Sequence, residues 1–95
     1  MGTLEWLQKW YLEQCDGDWE HGYGVRISTL DNPGWRVSIH VDGTELEDKE
    51  FRRMEIERTE HDWLHCWVDD SIFEGACGPE NLDEVLNVFR SWASV

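Results

Sequence analysis

Few residues in this chain have the types and spacing that chemistry needs, and each candidate group fails a specific test. Asp16-Gly17-Asp18-Trp19-Glu20 sets carboxylates at alternate positions, as a calcium loop begins. Such a loop requires Gly at its sixth position and Glu at its twelfth, and here those positions hold His21 and Ile27. A capped, solvated turn or part of a binding surface is the better reading of the segment. His61 and His65 would share a face on a helix. The alternation around them instead indicates a strand, in which four residues span roughly 13 Å, too far for both rings to hold one metal ion at about 2 Å. Cys15, Cys66 and Cys77 can be paired on paper with His21, His40 or His65, but no GxSxG, HExxH, P-loop or GxGxxG surrounds them. Gly22 and Gly24 lack the strand-to-helix setting that cradles a phosphate. The expectation is therefore no catalytic residues, no metal and no cofactor.

Charge narrows the partners. Against 8 Lys and Arg stand 21 Asp and Glu, a net charge of -13. That field repels phosphate backbones and anionic headgroups, so neither nucleic acid nor membrane is expected as a partner. It favours a basic one. Asp42, Glu45, Glu47, Asp48 and Glu50 cluster around Lys49, and Asp16, Asp18 and Glu20 form a second acidic group. A charge run is ordinarily a solvated face. What makes these acids candidates for a protein interface is the whole-chain imbalance together with Trp63, Trp67 and Trp19, aromatics that the helices need not cover. Tryptophan anchors interfaces, and an acidic field steers a basic partner toward them. The candidate partner-binding residues are thus Asp16, Asp18, Trp19, Glu20, His21, Glu45, Glu47, Asp48, Trp63 and Trp67. Burial in the core or in a self-associating face is the competing role for the tryptophans.

The elements that must position these residues follow from periodicity. Leu4, Leu7, Tyr11 and Cys15 recur at helical spacing behind Thr3, an N-cap type, which predicts a helix over 3–14. From Tyr23 the period becomes two. Val25 and Ile27, then Trp35, Val37, Ile39 and Val41, alternate with polar residues and predict strands with one buried face. Asp31-Asn32-Pro33-Gly34 between them predicts a tight turn, with Pro fixing φ and Gly accepting positive φ. Residues 44–50 are too polar to assign. Met54 and Ile56 predict a third strand, Asp62 to Val68 a fourth with Leu64, Cys66 and Val68 opposite Trp63, His65 and Trp67, and Ile72 to Ala76 a fifth. After Gly78-Pro79, the stripe Leu82, Val85, Leu86, Phe89, Trp92 predicts a C-terminal helix, with Asp83 and Glu84 in its first turn and Arg90 in its last.

With 95 residues the chain has room for one domain, 1–95, and one core. The expected fold is α+β: an antiparallel sheet of four to six strands with the N- and C-terminal helices packed on one face. Leu7, Tyr11, Val37, Ile39, Leu86 and Phe89 are expected in the core. Polar residues interrupt the first 15 positions, no stretch approaches a membrane span, and Trp6 replaces the Ser or Thr of a myristoylation motif. Three cysteines without CxxC spacing indicate reduced thiols and a cytoplasmic protein.

Several blocks in order carry a resemblance: Leu4-Glu5-Trp6-Leu7 with Trp10-Tyr11, Cys15 to His21, Tyr23-Gly24, Leu30 to Trp35, Gly78-Pro79 with Asn81-Leu82, and Phe89-Arg90-Ser91-Trp92. In these the chain resembles the immunity protein 53 family of bacterial polymorphic toxin systems. Residues 44–62 match only in being acidic and strand-like, and Cys77 stands where a second glycine is expected before Gly78-Pro79. The resemblance implies a cytoplasmic antidote, monomer or homodimer, that binds and neutralises a cognate toxin domain, and it transfers no catalytic residues. The alternatives are a small ligand-binding or self-assembling module using an aromatic sheet face, or a small metal-dependent enzyme built on the Asp16 to His21 segment.

Overall fold

The computed structural model describes all residues, Met1–Val95. Helix α1 spans Thr3–Gln14, a short helix α2 Trp19–Gly22, and a third, α3, Leu82–Ala93. Between α2 and α3 run the strands β1 (Val25–Leu30), β2 (Gly34–His40), β3 (Met54–Thr59), β4 (Asp62–Asp69) and β5 (Ile72–Cys77). They form one five-stranded sheet in the order β1-β2-β5-β4-β3, with every neighbouring pair antiparallel. The expected α+β class and strand count hold. Because β5 returns to lie beside β2, the N-terminal hairpin and the C-terminal meander are joined through the centre of the sheet.

Local chemistry explains the turns. Asp70 and Ser71 carry φ of 51° and 61° between the paired Asp69 and Ile72, the two left-handed residues of a primed hairpin turn whose twist matches the sheet. The β1–β2 hairpin turns over Asp31, Asn32 and Pro33, and Gly34 already pairs with Leu30 as the first residue of β2. Gly34 is absent from the positive-φ residues. Its role is different from the one its sequence context suggests: a Cβ there would lie 2.2 Å from the carbonyl oxygen of Cys77. The N-cap of α1 is Gly2, in extended backbone, whereas Thr3 lies inside the helix and turns its hydroxyl to the Asn87 side chain of α3.

Strand alternation then builds the core. Val37 and Ile39 of β2, Leu64 and Cys66 of β4, and Phe73 and Cys77 of β5 point to one face and are fully buried. Both long helices cover that face. Val85 of α3 sits over Gly75, where a Cβ would approach its Cγ1 to 2.5 Å, so the missing side chain is what lets α3 settle onto β5. Helix α1 packs against α3, with the Trp10 and Trp6 rings 5.0 and 6.0 Å from Phe89. Leu7, Val37, Ile39, Leu86 and Phe89 are buried as expected. Tyr11 is not: it is 37% exposed and Leu4 58%, because α1 is rotated so that Trp6, Leu7 and Trp10 face α3. Burial pushes the thiol of Cys66 up to about 12 and, less far, that of Cys77, so both stay protonated and inert at neutral pH.

The polar stretch that periodicity could not assign is a crossover from β2 to β3. Val41 and Leu46 are buried within it, and Phe51 packs edge-on 5.4 Å from both Phe73 and Trp92. Thr44 Oγ1 donates to the Val41 carbonyl and accepts from the Leu46 amide. Trp92 Nε1 donates to the Glu50 carbonyl, and Lys49 Nζ donates to the carbonyl oxygens of Trp92 and Val95. Lys49, which stands among Glu45, Glu47, Asp48 and Glu50 in sequence, is thereby spent on fastening the crossover to the end of α3.

Candidate protein-binding surface

The alternation that sends Leu64 and Cys66 into the core sends Trp63, His65 and Trp67 to the other face, which no helix covers. Trp67 is held between two guanidinium groups, with Arg36 Cζ 5.1 Å and Arg53 Cζ 5.2 Å from its ring centre. Each stack is worth about 0.5–1 kcal/mol at an exposed site. Arg36 also bonds Glu74 Oε1 at 3.0 Å, and Ser38 Oγ donates to the same oxygen at 2.7 Å. Arg53 pairs with Glu55, and His65 Nε2 lies 2.9 Å from Glu57 Oε2 with the Trp63 ring 5.4 Å from its own. The face is a mosaic of stacked aromatics and opposed charges. Arg36 Nε, His40 Nδ1 and Asp42 Oδ1 are buried without hydrogen-bond partners, the last two facing each other at 3.5 Å.

The acidic segments lie outside the strands, around α2 and in the β2–β3 crossover. Asp16 Oδ1 accepts from the amides of Asp18 and Trp19 at 2.9 and 2.8 Å, while Glu20 accepts from those of Asp16 and Gly17. These bonds close the turn that leads into α2, whose N-cap residue, Asp18, makes no side-chain cap bond of its own. The Trp19 and Asp18 amides hold the Asp16 carboxyl below the usual range, and the amides of its own residue, Asp16 and Gly17 do the same for Glu20. Lone pairs committed to backbone amides are poor metal ligands, and no group of three or more His, Cys, Asp or Glu is arranged to hold a metal ion.

Trp19 is a correction to the sequence reading of an exposed aromatic. It is 6% exposed, its Nε1 donates to the Asp42 carbonyl at 2.8 Å, and Trp10 and Tyr11 pack on it. It fastens α2, and with it the Asp16 to His21 segment, to the start of the crossover that carries Glu45, Glu47 and Asp48. Glu13 and Glu45 line one cleft between α1 and the crossover. Asp16, Asp18, His21, Glu45, Glu47 and Asp48 are exposed and Glu20 half-buried. Trp63 and Trp67 sit on the open sheet face and are half-buried.

One surface escaped the sequence reading. Leu4, Leu7 and Tyr11 of α1 and Tyr23, Val25 and Ile27 at β1 line an open groove of about 550 Å³. Its signal was present: α1 carries more apolar positions than a single docking stripe needs, so some must face outward.

The structure defines a two-layer α+β domain with helices on one sheet face and a charged, tryptophan-bearing face left open. The chain belongs to the immunity protein 53 family, whose model matches residues 4–94. Comparison with curated proteins and with solved structures finds no match.

Proposed function

We propose that this chain is an immunity protein that binds a cognate bacterial toxin domain in the cytoplasm and neutralises it by protein–protein contact, with no catalysis of its own. Membership of the immunity protein 53 family over nearly the whole chain is the observation that carries the reading. The surface supports it. A net charge of -13 suits a basic toxin, and Asp16, Asp18, Glu20, His21, Glu45, Glu47 and Asp48, in two segments outside the strands, are the polar candidates for its contact. Trp63 and Trp67 are the aromatic anchors, Trp67 with the guanidinium groups of Arg36 and Arg53 against its ring. The test is co-expression with toxin domains encoded beside this gene. A toxin that kills alone is tolerated with the chain present and co-purifies with it; continued killing by every neighbouring toxin would remove the reading.

Within such a complex, charge and anchors separate kinetically. Exposed charges act over about 8 Å at physiological salt, enough to guide encounter but not to hold the docked state. Replacing Glu45, Glu47 and Asp48 by their amides slows association roughly tenfold at low salt and leaves dissociation nearly unchanged. Trp67→Ala instead speeds dissociation, about thirtyfold for a hot spot of about 2 kcal/mol. Surface-binding kinetics decide the matter: an association rate indifferent to salt between about 50 and 500 mM ends the steering account.

A further inference from the structure

We propose that edge strand β1 and the groove between it and α1 take up an extended segment of the toxin domain as a sixth strand of the sheet. The inference rests on the toxin-binding reading and adds the surface and the mode of contact. It starts from the phase of the β1–β2 ladder. The His40 amide donates to the Gly24 carbonyl, and the register Val25↔Ile39 through Leu30↔Gly34 continues without a break. Antiparallel ladders alternate, so Arg26 and Ser28 direct their amides and carbonyls to β2, whereas Val25, Ile27 and Thr29 direct theirs outward. β1 ends the sheet, so those outward groups have no strand to pair with.

The same three residues point their side chains to the helix face, and Val25 and Ile27 form the floor of the groove. Leu4 and Tyr11 of α1 form its wall. Backbone pairing and apolar burial are thus offered to one extended segment at once, with every second side chain of that segment entering the groove. Ile27 at 39% exposure and Leu4 at 58% are apolar surface left uncovered in the isolated chain.

The two edges of the sheet are treated differently. β3, the opposite edge, carries Glu55, Glu57 and Arg58 and a register shift between Glu57 and Thr59. Charge and a bulge are how proteins keep an edge from pairing. β1 has neither a bulge nor a proline, and its one charged residue, Arg26, belongs to the β2-bonded set.

Charge selects the occupant. A second copy of this chain would bring together two bodies each at -13, whereas a neutral or basic segment is attracted. The groove itself is lined by one charged residue, Arg26, so the segment that fits has apolar side chains at alternate positions and is drawn in by the field of the whole chain.

The test uses the toxin domain that co-expression identifies, so that failure of the toxin-binding reading shows first, as no complex. With a complex in hand, hydrogen exchange reads the strand. In the free chain the amides of Val25, Ile27 and Thr29 exchange fast and those of Arg26 and Ser28 slowly. In the complex all five are slow, the first three by at least about tenfold. Ile27→Pro removes an outward amide while sparing the bonds to β2, a position where an edge strand accepts proline, and it weakens toxin binding at least about thirtyfold. Ile27→Lys, which keeps the backbone intact, weakens it as well and decides the matter should the proline variant not fold. A complex in which Val25, Ile27 and Thr29 still exchange fast, or in which both variants bind as the native chain does, overturns the proposal. Protection of the three amides that rises with protein concentration in the absence of toxin also overturns it, by assigning the edge to a second copy.

Discussion

Truncating Phe89 to alanine lowers the unfolding free energy by about 3–5 kcal/mol, the range for a buried aromatic whose neighbours cannot close over the space. Phe89 is 0% exposed and is the point where three elements meet. Its ring lies 5.0 Å from Trp10 and 6.0 Å from Trp6 of α1, 5.1 Å from Phe73 of β5 and 6.0 Å from Trp92 on its own helix. These are mostly edge-to-face contacts, in which rigid rings support one another from fixed directions. Large flat neighbours relax poorly into a void, so the cost falls at the upper end. For a domain near 100 residues each kcal/mol moves the melting midpoint about 4–8 °C, and a fall of at least about 12 °C is expected. Urea titration followed by tryptophan fluorescence and by far-ultraviolet circular dichroism gives both the loss and a check that unfolding stays two-state. A loss below about 1.5 kcal/mol would mean that α1 and α3 do not share a packed layer.

Long periodic segments were legible in the residues because their burial follows from local pattern. Thr3–Gln14 coincides with the helix read from Leu4, Leu7 and Tyr11, and the strand pair Asp62–Asp69 and Ile72–Cys77 with the alternation around Cys66 and Phe73. Which side of α1 turns inward was not legible. The stripe of Leu4, Leu7, Tyr11 and Cys15 competes with one of Trp6, Leu7 and Trp10, and only the position of Phe89 on another element decides between them. Leu46 and Phe51 were invisible for a related reason, since each is one apolar residue in an irregular crossover where no period exists to be counted. Helix α2 has four residues, too short to announce itself, and it is held by Trp19 and by the amide bonds of Asp16 and Glu20 in the turn before it.

The surface was legible in kind more than in detail. Exposed acids were expected at Glu45, Glu47 and Asp48, and they are exposed. Asp16 and Glu20 look the same in sequence yet spend their oxygens on amides of their own turn. Seven tryptophans could not be sorted by composition, because a strand residue is placed by its parity and a loop residue such as Trp19 by whatever lies across from it. Parity put Trp63 and Trp67 opposite Leu64 and Cys66, and that placement held. The β1 groove depends on a relation between α1 and β1, which no single segment records.

Gly34→Ala destabilises the domain by about 3 kcal/mol or more, at or above the upper end for forcing a methyl group into filled space. Its motive is the backbone, not the turn. The added Cβ would stand 2.2 Å from the Cys77 carbonyl oxygen and 3.3 Å from its carbonyl carbon. A side chain could swing away from such a clash, but a carbonyl fixed in the β2–β5 ladder cannot, and Trp35 beside it pairs directly with Cys77. Relief requires β2 to move away from β5, and those are the strands that join the two halves of the sheet. The contrast is Gly43, whose φ of 71° belongs to the left-handed region while the nearest atom to its would-be Cβ, Trp19 Cδ1, is 3.8 Å away. Gly43→Ala meets only the conformational cost, about 1–2 kcal/mol. Urea denaturation of both variants separates the two causes. If Gly43→Ala proves the costlier change, or Gly34→Ala costs under about 1 kcal/mol, the close approach of β2 to the end of β5 is not what requires glycine at position 34.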